Sequence, residues 1–137
     1  MSKIPYNQIM AQQTKQRRRP RDIEHSLQCG CITWFLFSHS ELRFNLFAVP
    51  NGGRRDVVTG AKLKAEGVLA GVSDLILLVP NRHFHALCIE MKTPNGYQSE
   101  SQKIWQRCVE RQGYKYVVCR SVEDFKNEIN SYLNDVA

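Results

Sequence analysis

The 137-residue chain contains no apolar run of about 18 residues and no shorter apolar stretch behind an N-terminal positive charge, so neither a membrane span nor a secretory leader is expected. A cytosolic protein without a membrane partner is the expectation. Paired C-x-x-C knuckles are missing as well, and the five cysteines (Cys29, Cys31, Cys88, Cys108, Cys119) are an odd number with no disulfide-like spacing. Most of them are expected as reduced core residues. A zinc site built on Cys29, Cys31 and a histidine is disfavoured, because an i, i+2 pair on a helix points to different faces. Internal repeats are absent too, and the length suits one domain burying roughly two thirds of its unfolded surface. Acidic residues are absent from residues 1–21, which carry Lys3, Lys15, Arg17, Arg18, Arg19 and Arg21. The formal charge of +6 therefore resides in an N-terminal arm, a pattern suited to releasing counterions from phosphates.

From Asp22 onward the pattern is periodic. Ile23, Leu27, Cys31, Trp34 and Phe35 recur at three- and four-residue intervals and predict an amphipathic helix, with Pro20 near its start. Residues 44–49 have the aromatic and β-branched composition of a strand, ended by Pro50-Asn51-Gly52-Gly53. Residues 58–67 read as a helix, after which Gly67 and Gly71 frame a turn. Leu75 to Val79 suits a strand buried on both faces, and residues 80–83 reverse the chain into a second strand over 84–92. Ser99 caps a helix with Ile104, Trp105, Cys108 and Val109 as its stripe, and Tyr114 to Cys119 forms the last strand. Ser121 opens a final helix whose buried face is Val122, Phe125, Ile129, Leu133 and Val136. The order α-β-α-β-β-α-β-α predicts an α/β fold with a central mixed four-stranded sheet flanked by helices.

Two acids and a lysine interrupt this apolar pattern. Gly71-Val72-Ser73-Asp74 and Ile89-Glu90-Met91-Lys92 place ionisable groups on strands where they persist only if paired, hydrogen-bonded or bound to metal. Strand alternation puts Phe84, Ala86, Cys88, Glu90 and Lys92 on one face. If the hairpin loop has an odd length, Asp74 stands across from Glu90; if even, it faces Ile89 and needs a bulge to approach. The sequence leaves both open. Asp74, Glu90 and the backbone carbonyl of Met91 are the expected ligands of a hard divalent cation, Mg²⁺ with Mn²⁺ as a substitute. Lys92 is expected to orient or deprotonate the attacking water of a phosphodiester hydrolysis and to offset charge on the phosphate. Arg17, Arg18, Arg19 and Arg21 of the arm are expected DNA contacts. Arg54 and Arg55 are either phosphate contacts on a glycine-bearing loop or solvated turn residues, the first being preferred. His25, His39, His83 and His85 are expected on helix surfaces or turns rather than as ligands.

Asp74 with Glu90-Met91-Lys92 resembles the PD-(D/E)XK nuclease superfamily, with Ser73 standing where the superfamily's naming proline would be. Glu24 on the first helix, Gly71-Val72-Ser73-Asp74, Glu90-Met91-Lys92-Thr93-Pro94, and Gly96 to Gln102 before a Trp-containing helix are similar to the virus-type replication-repair nuclease (VRR-NUC) family, over about residues 22–120. The resemblance implies a restriction-endonuclease-like domain over residues 22–137 behind the arm of residues 1–21. It implies that Glu24 helps organise the metal and that Gln102 supports the site. Each has an alternative, because a first-turn Glu suits the helix dipole and Ser99-x-x-Gln102 is also a capping box. It further implies a Mg²⁺-dependent endonuclease for branched DNA in a bacterial or phage-infected cytoplasm, resolving four-way junctions as a homodimer. A monomeric flap or nicking nuclease and a non-catalytic DNA-binding module are the rival readings. Trp34-Phe35-Leu36-Phe37 is either a dimer contact or core.

Overall fold

The computed structural model describes residues 19–50 and 57–136, so the expectations for Arg17, Arg18, Arg54 and Arg55 lie outside the described residues. Helix α1 (Pro20–Ser38) begins with Pro20 in its first turn, where the missing N–H costs nothing, and buries Cys31 and Phe35. After a 3₁₀ turn (Ser40–Leu42), strand β1 (Leu46–Ala48) leads to helix α2 (Val57–Ala65). Strands β2 (Leu75–Leu77) and β3 (Leu87–Met91) follow, then helix α3 (Glu100–Arg111), strand β4 (Lys115–Cys119) and helix α4 (Val122–Asn134). The element order is the expected one.

The sheet runs β1-β2-β3-β4, antiparallel across the first two pairings and parallel between β3 and β4. It is therefore the mixed four-stranded sheet the pattern implied. All five residues of β3 are buried, which fits a central strand covered on both faces. Leu75, Leu77, Leu87, Ile89, Met91 and Cys119 pack with Cys31 and Phe35 of α1 and Phe125, Ile129 and Tyr132 of α4. At about 1.5–3 kcal/mol per large apolar side chain, this cluster is the main source of stability.

Several strands are shorter than their composition suggested. Phe44 is outside β1 and exposed, and Val49 lies just past the end of β1 although its N–H still donates, in the β1–β2 register, to the Asp74 carbonyl. Phe84 lies in the connection rather than on the Cys88–Glu90 face and packs against the core cluster. Asn81 accounts for this: its Oδ1 accepts from the amides of His83 and Phe84 while its Nδ2 donates to the Tyr132 carbonyl. A side chain that satisfies the local backbone replaces the strand ladder there. Ile104 and Val136, expected in buried stripes, are exposed, Val136 because α4 ends at Asn134. All five cysteines are free, and most of them, Cys31, Cys88 and Cys119, are buried in line with the expectation, while Cys29 and Cys108 are exposed.

Candidate metal centre

Pairing of Leu75 with Ile89 and of Leu77 with Leu87 leaves residues 78–86 as the connection, an odd number, and its continuation sets Asp74 opposite Glu90. This is the closer of the two registers left open above. Asp74 is anchored on both sides: the Met91 amide donates to its Oδ2 at 2.7 Å, and its carbonyl accepts from the Val49 amide. Ser73, at the position of the missing proline, is buried and its hydroxyl donates to the Leu75 carbonyl at 3.1 Å. The turn before it is set by Gly71, whose φ of +90° favours glycine.

Glu90 is 2% exposed. Burial first, then the charge of Asp74 and a hydrogen bond to it, push its carboxyl up to about 9; Lys92 acts in the opposite direction and Glu24 adds to the rise. Lys92 Nζ lies 3.8 Å from Glu90 Oε1, so the lysine shares the carboxylate's surroundings as its position two residues on requires. Gln102 Nε2 donates to the same oxygen at 3.2 Å. Its own Oε1 accepts from the Ser99 amide at 2.8 Å, and the Ser99 hydroxyl accepts from the Gln102 amide. The carbonyl oxygen of the Gln102 side-chain amide completes the capping box while the nitrogen of the same amide donates to Glu90.

Glu24 reaches the site from α1. It lines a cavity of about 300 Å³ together with Arg21, His25, Gln28, Asp74 and Met91, backed by residues 48–50. Arg19 is exposed as the N-cap residue of α1 and does not line this cavity. No three His, Cys, Asp or Glu side chains among the described residues stand together as a complete ligand set. Asp74 and Glu90 are thus brought together, and Glu24, Asp74 and Met91 line one cavity. Cys29 Sγ is 3.6 Å from His25 Nε2 while Cys31 is buried in the core, so the cysteines build no zinc site.

Three parts of the site escaped sequence reasoning. His25 is on a helix surface as expected, but that surface is the cavity rim, where Gln28 joins it one turn on. Arg120 donates through Nη1 to the carbonyls of Thr93, Pro94 and Gly96, clamping the loop that follows Lys92; a lone arginine after a strand gives no signal of this. Tyr116 on β4 donates to Glu90 Oε2 at 3.5 Å, with Gln98 behind it. Gln98 precedes the N-cap of α3, so no helical spacing announces it.

Two carboxylates facing each other in a buried setting cannot both ionise cheaply without a positive charge between them. The donor set, hard oxygens with a lysine beside them, fits a hard divalent cation. Comparison with known proteins agrees with this chemistry. The model of the VRR-NUC domain family matches residues 7–123. A solved structure described as a VRR_NUC domain protein superposes with a TM-score of 0.73 at 25% identity, covering 83% of this chain and 90% of that one. No protein of curated function matches the sequence. With the family model spanning most of its length and the fold shared, the chain belongs to the VRR-NUC family, whose function is nuclease-type processing of DNA.

Proposed function

We propose that this protein is a Mg²⁺-dependent, structure-specific endodeoxyribonuclease that cuts branched DNA and resolves four-way junctions as a homodimer. The observation that carries the reading is the facing pair Asp74 and Glu90 with Lys92 3.8 Å from Glu90. Asp74, Glu90, the Met91 carbonyl and Glu24 would hold the cation. When bound, it supplies Lewis-acid polarisation of the phosphodiester and lowers the pKa of water.

The protein's own groups account for the rest. Hydrolysis adds water to phosphorus and breaks one P–O bond, with negative charge building on the phosphoryl oxygens. The Lys92 ammonium, anchored by Glu90, is placed to orient the water and offset that charge. Gln102 keeps Glu90 from rotating, and Arg21 on the cavity wall supplies a second positive charge for the phosphate. Resolving a symmetric junction takes two coordinated cuts, which two-fold symmetry supplies. Exposed Leu36 and Phe37, the latter 90% accessible, support a dimer contact from a segment whose Phe35 belongs to the core.

The test is cleavage of four-way, flap, nicked and linear DNA in Mg²⁺, Mn²⁺ or chelator, with light scattering for the oligomeric state. We expect a dimer that cuts the junction only with the cation present. Asp74→Asn and Lys92→Ala should each lower cleavage by at least about 100-fold while DNA binding persists. Cleavage in chelator, or by Asp74→Asn, would refute the site; a monomer that prefers flaps would replace junction resolution with flap cutting.

A further inference from the structure

Glu90 is held by more than the residues that make up the nuclease motif. Gln98, just before the N-cap of α3, has two amide hydrogens: one goes to Gln106 Oε1 at 2.9 Å and the other to the Tyr116 hydroxyl oxygen at 3.2 Å. A phenol has one hydrogen to give. With Gln98 donating to the Tyr116 oxygen, the Tyr116 hydrogen is directed to Glu90 Oε2, 3.5 Å away. The other carboxylate oxygen, Oε1, takes its hydrogen bond from Gln102. Each oxygen of Glu90 thus faces a donor, Oε1 that of Gln102 from α3 beside the Lys92 ammonium and Oε2 the longer contact to Tyr116 from β4, and rotation of the carboxylate lengthens one of them.

We propose that Tyr116, oriented by Gln98 and Gln106, is a positioning residue that presets Glu90 to bind the divalent cation. This rests on the metal-centre reading above and extends it to three residues that reading does not use. Hydrogen bonds to a metal ligand from behind typically carry about 10–100-fold in metal affinity. The competing explanation is packing, because Tyr116 is 8% exposed and its ring meets Trp105 edge-on with centroids 6.1 Å apart. Replacement by phenylalanine keeps the ring and removes only the hydroxyl.

The experiment titrates the full-length protein with Mn²⁺ by calorimetry in the absence of DNA, for wild type, Asp74→Asn, Tyr116→Phe and Gln98→Met. Melting in chelator and kcat and KM on cleavable DNA are measured alongside. Tyr116→Phe should weaken Mn²⁺ binding by about 10–100-fold, with KM for DNA unchanged and kcat restored by raising Mn²⁺. Gln98→Met should weaken it in the same direction by less, and it carries the test if Tyr116→Phe does not fold. Mn²⁺ affinity of the folded variants within twofold of wild type, whatever happens to their melting, overturns the inference while leaving the metal centre intact. Wild type without saturable Mn²⁺ binding, or with binding that Asp74→Asn leaves unchanged, overturns the metal centre and the inference with it.

Discussion

Glu90 concentrates the energetics of the site in one side chain. Its carboxyl is raised to about 9 in the folded chain by burial and by Asp74, against 4.5 ordinarily. Between those values the folded state keeps a proton that the unfolded chain has released, so stability from this group is complete below about pH 4.5 and is lost as pH rises toward 9. In chelator, wild type should therefore lose stability relative to Glu90→Gln as pH increases through that window, measured as the difference between their urea midpoints. Saturating Mg²⁺ should abolish the loss. Parallel curves for the two proteins would contradict the assignment. Asp74, Glu90 and Lys92 were legible in the sequence because charges on apolar strands stand out. Tyr116 was not: an aromatic residue on a strand is ordinary, and only its partner distinguishes it.

Gly71 shows how one element depends on the packing of another. A Cβ there would meet the Ser101 carbonyl oxygen at 2.4 Å and the Gln102 amide at 2.9 Å, on a backbone with φ of +90°. The turn that delivers Asp74 is thus pressed against the first turn of α3, which delivers Gln102. Gly71→Ala should cost at least about 1–3 kcal/mol by denaturant unfolding and should lower cleavage, because α3 must move. Gly67→Ala is the control. Gly67 shares the positive φ, but no heavy atom lies within 4 Å of its added Cβ, so only the backbone cost of about 1 kcal/mol should appear. Helices and their caps were legible element by element, since Pro20, Ser99 and Ser121 act within a few residues of themselves. Strand ends were not, because the start of β3 falls after residues 81–84, where the Asn81 side chain takes the amides of His83 and Phe84.

For the molecule as a whole, charge segregation is the strongest statement beyond the fold. Deleting residues 1–18, which hold Lys3, Lys15, Arg17 and Arg18, should flatten the salt dependence of DNA affinity by roughly one logarithmic unit per basic residue that contacts a phosphate. An unchanged slope on fluorescence titration at several salt concentrations would place the phosphate contacts elsewhere. No helix among the described residues is long and apolar enough to cross a membrane. The order of elements, the mixed sheet, the acid pair with its lysine and the family resemblance all follow from local pattern, because periodicity and misplaced charge are properties of neighbouring residues. Whether Asp74 faces Glu90 or Ile89 depended on the register in which β2 and β3 pair. Likewise, the gathering of Glu24, His25 and Gln28 around Asp74, and of Gln102 and Tyr116, with Gln98 behind it, around Glu90, joins residues from different elements. Such meetings are set by how helices pack on a sheet, and no local pattern encodes them.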